Sequence, residues 1–225
     1  MALTVEKLLA RQEIADVILR YARGVDRMDW DLVRSCYHPD AYDDHGTFQG
    51  GVEAFVEMCG RFLPRFAVTQ HFMGNMLIEV EDDLRAARAE TYAVAYHRLE
   101  LDDGSGKDDV FGIRYVDRFE NRGGDWLIAH RVVATEWRRV DDVPRGKIRG
   151  GVGEWGRRDA DDVVYRIMGM TAPAATLGER GPNPAATLGE RGPNPAATLG
   201  ERGPNPAATS GERGPNPAAT SGERG

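Results

Sequence analysis

Apolar residues recur at Ile14, Val17, Ile18, Tyr21 and Val25, while Arg11, Glu13, Asp16 and Arg20 occupy the positions between them. That 3.6-residue period predicts an amphipathic helix with one buried stripe. Thr4 offers a capping oxygen at its start and Glu6 a first-turn carboxylate, both suited to unpaired N–H groups and the positive helix end. Asp26 is one position past Val25 and eight past Ile18, so the last turn carries it on the same buried stripe. A carboxylate there is costly unless it is paired, and Gly24 beside it permits close backbone approach.

A second, short helix is expected over 29–37, with Trp30, Val33 and Cys36 at core spacing. His38-Pro39 ends it, because the residue before proline avoids helical geometry. A strand at 41–44 turns at His45-Gly46, and Gly50-Gly51 introduces a third helix over 52–63 that Pro64 stops. From Phe66 to Trp137 the pattern becomes that of strands at 67–73, 75–80, 86–101, 110–120 and 126–137, separated by turn clusters such as Asp102-Asp103-Gly104 and Asn121-Arg122-Gly123-Gly124. The order ααβαββββ is that of an α+β fold in which a strongly bent, mainly antiparallel sheet wraps the N-terminal helices. The concave side of such a sheet is a usual place for a small ligand. Residues 138–170 read as irregular.

Composition then removes the last 55 residues from the folded part. From Pro173 the unit Pro-Ala-Ala-Thr-Leu-Gly-Glu-Arg-Gly-Pro-Asn repeats in four full copies and a truncated fifth. Two Pro and two Gly per unit exclude a continuous helix, and one large apolar residue at most per unit gives no solenoid core. The expected organisation is a folded domain over 1–140, an irregular extension over 141–170 and a disordered repeat tail over 171–225. Residues 1–170 hold 24 basic and 31 acidic residues and therefore the whole net charge of −7. That balance argues against binding to phosphate backbones, so no nucleic-acid partner is expected. Cys36 and Cys59 have no metal-type spacing and read as reduced core residues. The first ten residues lack a long apolar run and no segment reaches membrane-spanning length, which together predict a cytoplasmic protein without membrane contact.

Three stretches carry a family resemblance: Tyr21-x4-Asp26 with Asp29-Trp30-Asp31 and Tyr37-His38-Pro39-Asp40-Ala41; Thr69-Gln70-His71-Phe72-Met73-Gly74-Asn75; and Gly124-Asp125-Trp126-Leu127-Ile128-Ala129-His130-Arg131. From about Val5 to Trp137 the chain resembles the SnoaL-like group of the nuclear transport factor 2 superfamily. The resemblance implies a cone-shaped α+β barrel. Enzymes of that group include scytalone dehydratase, bile-acid 7α-dehydratase and hexachlorocyclohexane dehydrochlorinase, which abstract a proton and expel a leaving group without metal or organic cofactor. By resemblance His71 is the general base, Asp26 its partner, and Tyr21 the aid to the leaving group. A homo-oligomer, a trimer in related dehydratases, is also implied. Two positions depart from scytalone dehydratase: Val25 and His45 stand where it has tyrosines, which makes scytalone itself an improbable substrate. His97 falls near that enzyme's second histidine, with Tyr96 competing for the place.

Other residues at pocket-type spacing are Trp30, Tyr42, Phe48, Phe55, Met73, Tyr92 and Trp137, and Asn75 enters the strand after His71. With His45, Tyr96 and His97, the set Tyr42, Phe48, Phe55, Met73, Asn75 and Trp137 forms the candidate substrate-binding surface for a hydrophobic small molecule. If Thr69, His71 and Met73 face the pocket, then Val68, Gln70 and Phe72 face outward. On the last strand alternation alone does not choose between Ile128, His130 and Val132 and the set Ala129, Arg131 and Val133. His38 is expected at the surface, Arg131 beside an acidic neighbour, and Asp43-Asp44-His45 is not a metal site, because adjacent carboxylates point to opposite faces. The functional reading is a dehydratase-type lyase; an isomerase or cyclase using the same base, and a non-catalytic assembly module, are the alternatives.

Overall fold

The Thr4 side chain accepts a hydrogen bond from the Lys7 backbone at 3.3 Å and starts a helix, α1 (Val5–Arg27), whose inward stripe of Ala10, Ile14, Val17, Ile18, Tyr21, Ala22 and Val25 is buried. It ends at Met28 in the left-handed conformation, whose N–H returns to the Gly24 and Val25 carbonyls. The computed structural model describes residues 3–145 and 154–172. The repeats from Pro173 and the Gly-rich run at 146–153 lie outside these residues, and so does the second of the chain's two units, Gly189–Gly225.

The remaining elements are α2 (Trp30–Arg34), β1 (Tyr37–Asp44), β2 (Gln49–Gly51), α3 (Val52–Phe62) with a short 3-10 turn at Leu63–Arg65, β3 (Val68–Val80), β4 (Ala86–Glu100), β5 (Gly106–Arg122), β6 (Asp125–Val143) and α4 (Val163–Met168). The helix expected over 29–37 is only five residues long, because strand β1 already begins at Tyr37. Pro39 is tolerated inside β1 because it falls in the gap between the Tyr37 and Tyr42 pairings with β6, where the ladder is interrupted. The two strands expected at 67–73 and 75–80 are one: β3 pairs with β4 throughout, with a bulge between Met73 and Met76 that contains Gly74. Residues 138–143, expected to be irregular, continue β6, where Arg138 grips Asp109 and Lys107 pairs with Asp142 across the ladder.

The six strands run in the order β2-β1-β6-β5-β4-β3, antiparallel except for β1 with β6. The sheet is not closed: β2 and β3 are both edges of the expected α+β fold. Its inner face and the three N-terminal helices enclose the core around Ile14, Ile18, Tyr21, Phe55, Tyr115, Phe119 and Ile128. On the outer face Phe72, Val94, Gly112 and Trp137 form one cross-strand row. The Trp137 indole lies directly over Gly112, where a Cβ would stand 2.1 Å from the ring. No helix among the described residues is long and apolar enough to cross a membrane.

Gly24 lets α1 and α2 meet. A Cβ there would lie 2.9 Å from Val33 Cγ2 and 3.3 Å from the Asp29 carbonyl oxygen. Gly24→Val is therefore expected to destabilise the domain by about 1–3 kcal/mol, the usual cost of overpacking, measured as a lower urea midpoint at unchanged slope.

Candidate active site

The carboxylate that α1 delivers to the interior meets β3. Asp26 Oδ1 lies 2.8 Å from His71 Nδ1, and Asp26 Oδ2 accepts the His71 backbone N–H at 2.7 Å. Both side chains are mostly covered, at 17% and 7% exposure. Burial by itself raises the Asp26 carboxyl, but the His71 ring, its charge and its backbone N–H outweigh that and hold it below the ordinary carboxylate range. Because Asp26 occupies Nδ1, the histidine has Nε2 left to take a proton.

His97 stands beside His71, with its ring perpendicular at 5.7 Å and enclosed by Phe66 at 5.0 Å and Phe111 at 5.8 Å. Burial, reinforced by the charge of His71, pushes its pKa down to about 4. Thr69, the cross-strand partner of His97, is buried two residues before His71. Its hydroxyl helps to hold the Asp26 charge without a well-formed hydrogen bond. From the C-terminal segment Arg158 reaches back, donating to the carbonyls of Asp26 (3.2 Å), Leu63 (3.1 Å) and Phe66 (2.8 Å). Desolvation lowers its pKa to about 10. Thr69 Oγ1, His97 Nδ1 and Arg158 Nη2 are buried without a hydrogen-bond partner among the described residues.

A second polar group lies further along α1. Tyr21 Oη is 3.3 Å from His45 Nε2, His45 Nδ1 contacts Asp43 Oδ1, and the Tyr37 hydroxyl donates to Asp43 Oδ2 at 2.7 Å. Above it Arg131 makes a bidentate pair with Asp117, both bonds at 2.7 Å and both side chains fully buried. The guanidinium carbon sits 4.2 Å from the Tyr21 ring centroid and 4.3 Å from that of Tyr115. Burial, with Tyr115 and Tyr37 nearby, raises the Tyr21 pKa well above its ordinary value, so the phenol is a neutral hydrogen-bond donor. Burial likewise raises the thiols of Cys36 and Cys59, to about 11 and about 12, as inert core cysteines require.

Of the residues expected at the site, Asp26, His71 and His97 come together, as do Tyr21, His45, Phe48 and Phe55, with Phe55 stacked on His45 at 4.7 Å. Met73 faces inward and packs on the core. Four others do not join them. Tyr96 points outward, because the inward residues of β4 are the odd-numbered ones, and its hydroxyl is tied to Asp108 at 2.7 Å. Trp137 lies on the outer face, since β6 skips a residue opposite Gly112 and Ile113. Tyr42 is 44% exposed and edge-on to the outward His130, and Asn75 is exposed in the β3 bulge. Tyr92 is also on the outer face, beside Arg114. His38, expected at the surface, is buried with Nε2 2.9 Å from the Glu120 carbonyl oxygen.

Arg131 has the acidic neighbour expected for it, Asp117. Sequence reasoning missed Asp43, Tyr115, Asp117 and Arg158. The alternation of Ile113, Tyr115, Asp117 and Phe119 was the available signal for two of them; nothing in the sequence pointed to Arg158. Clefts open on the surface of the described residues. One of about 260 Å³ lies between the ends of β3 and β4 and the Trp155–Arg158 segment. Another, of about 370 Å³, crosses the outer face around Leu77, Val116 and Val132.

The family model described as a SnoaL-like domain matches residues 6–132. An uncharacterised protein of Mycobacterium tuberculosis is 25% identical over 134 residues, covering 58% of this chain and 88% of the relative. Among solved structures, a type 2 hexachlorocyclohexane dehydrochlorinase (LinA) superposes with a TM-score of 0.56 at 18% identity, over 67% of this chain and 99% of that one. LinA-type3 from Novosphingobium barchaimii gives a TM-score of 0.54 at 18% identity, over 60% and 92%. These structural likenesses establish a shared fold.

Two outcomes follow from the buried charges. Arg131→Met leaves Asp117 buried and unpaired, so a loss of about 3–5 kcal/mol is expected; the double variant Arg131→Met/Asp117→Leu recovers most of it in urea denaturation. His97 is depressed in the folded state from 6.5 to about 4. The unfolded chain therefore binds the extra proton first, and stability falls as pH drops from 6.5 towards 4. At about 1.4 kcal/mol per unit this amounts to at most about 3 kcal/mol. His97→Phe is expected to lose less stability than wild type between pH 7.5 and pH 4.5, compared by urea midpoints.

Proposed function

The chain belongs to the SnoaL-like domain family, and we propose that it is a cofactor-independent lyase of the dehydratase type acting on a hydrophobic small molecule. The observation that carries this reading is the two-point grip of Asp26 on His71. A carboxylate accepting both the backbone N–H and the ring nitrogen fixes the position of the strand and the orientation of the imidazole at once. Held in this way, His71 Nε2 takes a proton from carbon beside a substrate carbonyl, and Asp26 stabilises the imidazolium that forms. Thr69 Oγ1 and His97 Nδ1, buried without a hydrogen-bond partner among the described residues, support the reading as groups that a substrate oxygen can satisfy. Tyr21, a neutral donor, serves the departing oxygen.

Elimination is also the reaction named for the two dehydrochlorinases that share the fold. The isomerase reading uses the same base but needs no donor for a leaving group. The Tyr21–His45 contact favours elimination over it.

A panel of β-hydroxy carbonyl compounds with wild type, Asp26→Asn and His71→Ala tests the reading. General-base loss in His71→Ala is expected to lower kcat/KM by about 10²–10⁴-fold, with a smaller fall in Asp26→Asn, each compared at a temperature where circular dichroism shows the variant folded. Turnover that survives both substitutions overturns the mechanism. Product that carries solvent deuterium but keeps its hydroxyl assigns isomerisation instead.

A further inference from the structure

Loss of water needs two proton transfers, one from carbon and one to the leaving oxygen, and His71 accounts for the first. The leaving hydroxide is a poor leaving group until it is protonated, and a single histidine cannot be base and acid at separate atoms in one step. The described residues hold a second Asp–His pair. Asp43 has a fully buried side chain, and its two oxygens are divided between the Tyr37 hydroxyl and His45 Nδ1. Arg131, the cation nearest this group of rings, is claimed on two nitrogens by Asp117. His45 is 22% exposed, the most open member of the cluster. Its ring is fixed on one face by stacking on Phe55 and at Nδ1 by Asp43, which leaves Nε2 beside the Tyr21 hydroxyl.

Both pairs lie within electrostatic reach of one buried residue, Tyr115. Tyr21 and Asp26 are five residues apart on one helix, about 7.5 Å along its axis. Tyr115 packs on the second pair, with its ring 5.6 Å from Tyr21 and 6.4 Å from His45. Its hydroxyl, raised chiefly by burial, also feels the charges of Asp43 and Asp26.

We propose that His45 is the catalytic acid that protonates the leaving oxygen and that Asp43 is its positioning residue, so that two Asp–His pairs divide the elimination between them. The inference rests on the lyase reading above and names the second half of its chemistry. His71 Nε2 removes the proton on the carbon beside the carbonyl, and that C–H electron pair becomes the new C=C bond. The C–O bond breaks with its pair on oxygen, which takes the proton from His45 Nε2 and leaves as water. His71 ends with one proton more and His45 with one fewer; exchange with solvent resets both. The Tyr21 hydroxyl, next to Nε2, holds the leaving oxygen in place. The Arg131 guanidinium over the Tyr21 ring draws on its electrons and strengthens that donor.

The test separates leaving groups. Full-length wild type, His71→Ala, His45→Gln, His45→Tyr and Asp43→Asn are assayed with β-hydroxy-β-phenylethyl methyl ketone and its β-chloro counterpart, which departs as chloride without a proton. His71→Ala is expected to suppress both eliminations. His45→Gln is expected to lower the ratio of hydroxide loss to chloride loss by about 10²-fold or more. Asp43→Asn moves that ratio the same way by less, and His45→Tyr, which returns an O–H donor, recovers part of it. A purely structural role for His45 lowers both reactions together, so an unchanged ratio in a His45→Gln protein of native melting temperature overturns the proposal. If wild type eliminates neither leaving group, or if His71→Ala retains both activities, it is the lyase reading that fails.

Discussion

A carboxylate carried into the interior by the last turn of a helix has to be met by donors, and the placement of Asp26 organises the site for that reason. Its side chain does not merely find one partner. It takes the backbone N–H and the ring of the same residue, His71, so the end of α1 is tied to the first part of edge strand β3 through two charge-assisted hydrogen bonds. An edge strand with a free side is a weakly specified element. Here the grip fixes both its height against the helix and the face it turns inward. The Arg158 contacts to the carbonyls of Asp26, Leu63 and Phe66 close the same corner from the C-terminal side.

The rest of the interior is unusually polar for a core. A fully buried Arg131–Asp117 pair, a fully buried Asp43 and three ring hydroxyls sit among Phe55, Ile18 and Val17. Hydrophobic residues of similar volume hold a core together as well as a buried ion pair does or better, so stability alone does not account for this arrangement. Polar groups that break the local rule of burial tend to mark function. The arrangement is divided into compartments: Arg131 is neutralised by Asp117, Asp26 by His71, and Asp43 by a phenol and an imidazole. Each carboxylate is paired locally, and none spends its charge on a neighbour's partner.

How much of this could be read beforehand depended on periodicity. The stripe on α1 put Asp26 inside; alternation grouped Thr69, His71 and Met73 on one face without saying which, and the pairing of His71 with Asp26 came from the family resemblance, while α1 is capped at each end and β3 is regular up to its bulge. Periodicity failed wherever a strand slipped. On β6 Ile128 and Arg131 both face inward although an odd number of positions separates them, because Ala129 is skipped between the Phe119 and Arg118 pairings. A second skip at Glu136 turns Trp137 to the outer face. Such bulges depend on the partner strand, and one strand read alone does not reveal them. The position of Arg158 depends on a segment folding back over some ninety residues of chain from Phe66, which no local pattern encodes.

The same rule of alternation, applied one residue further, bears on the second pair. Adjacent Asp43 and Asp44 do point to opposite faces. Asp44 turns to the surface, where it accepts from Gly46 N–H and Gln49. Residues two apart share a face, however, so Asp43 and His45 turn inward together, and the turn at Gly46, with φ of 74°, follows at once. The two pairs are therefore held differently. Asp26 reaches His71 from another element, so that the geometry of the base depends on how helix and sheet pack. Asp43 reaches His45 within one strand end, so that the geometry of the proposed acid is set locally, next to the turn at Gly46. On the proposed division of labour, a base locked by tertiary packing and an acid mounted at a strand end suit a reaction in which the carbon being deprotonated must be placed strictly, while the departing oxygen moves away.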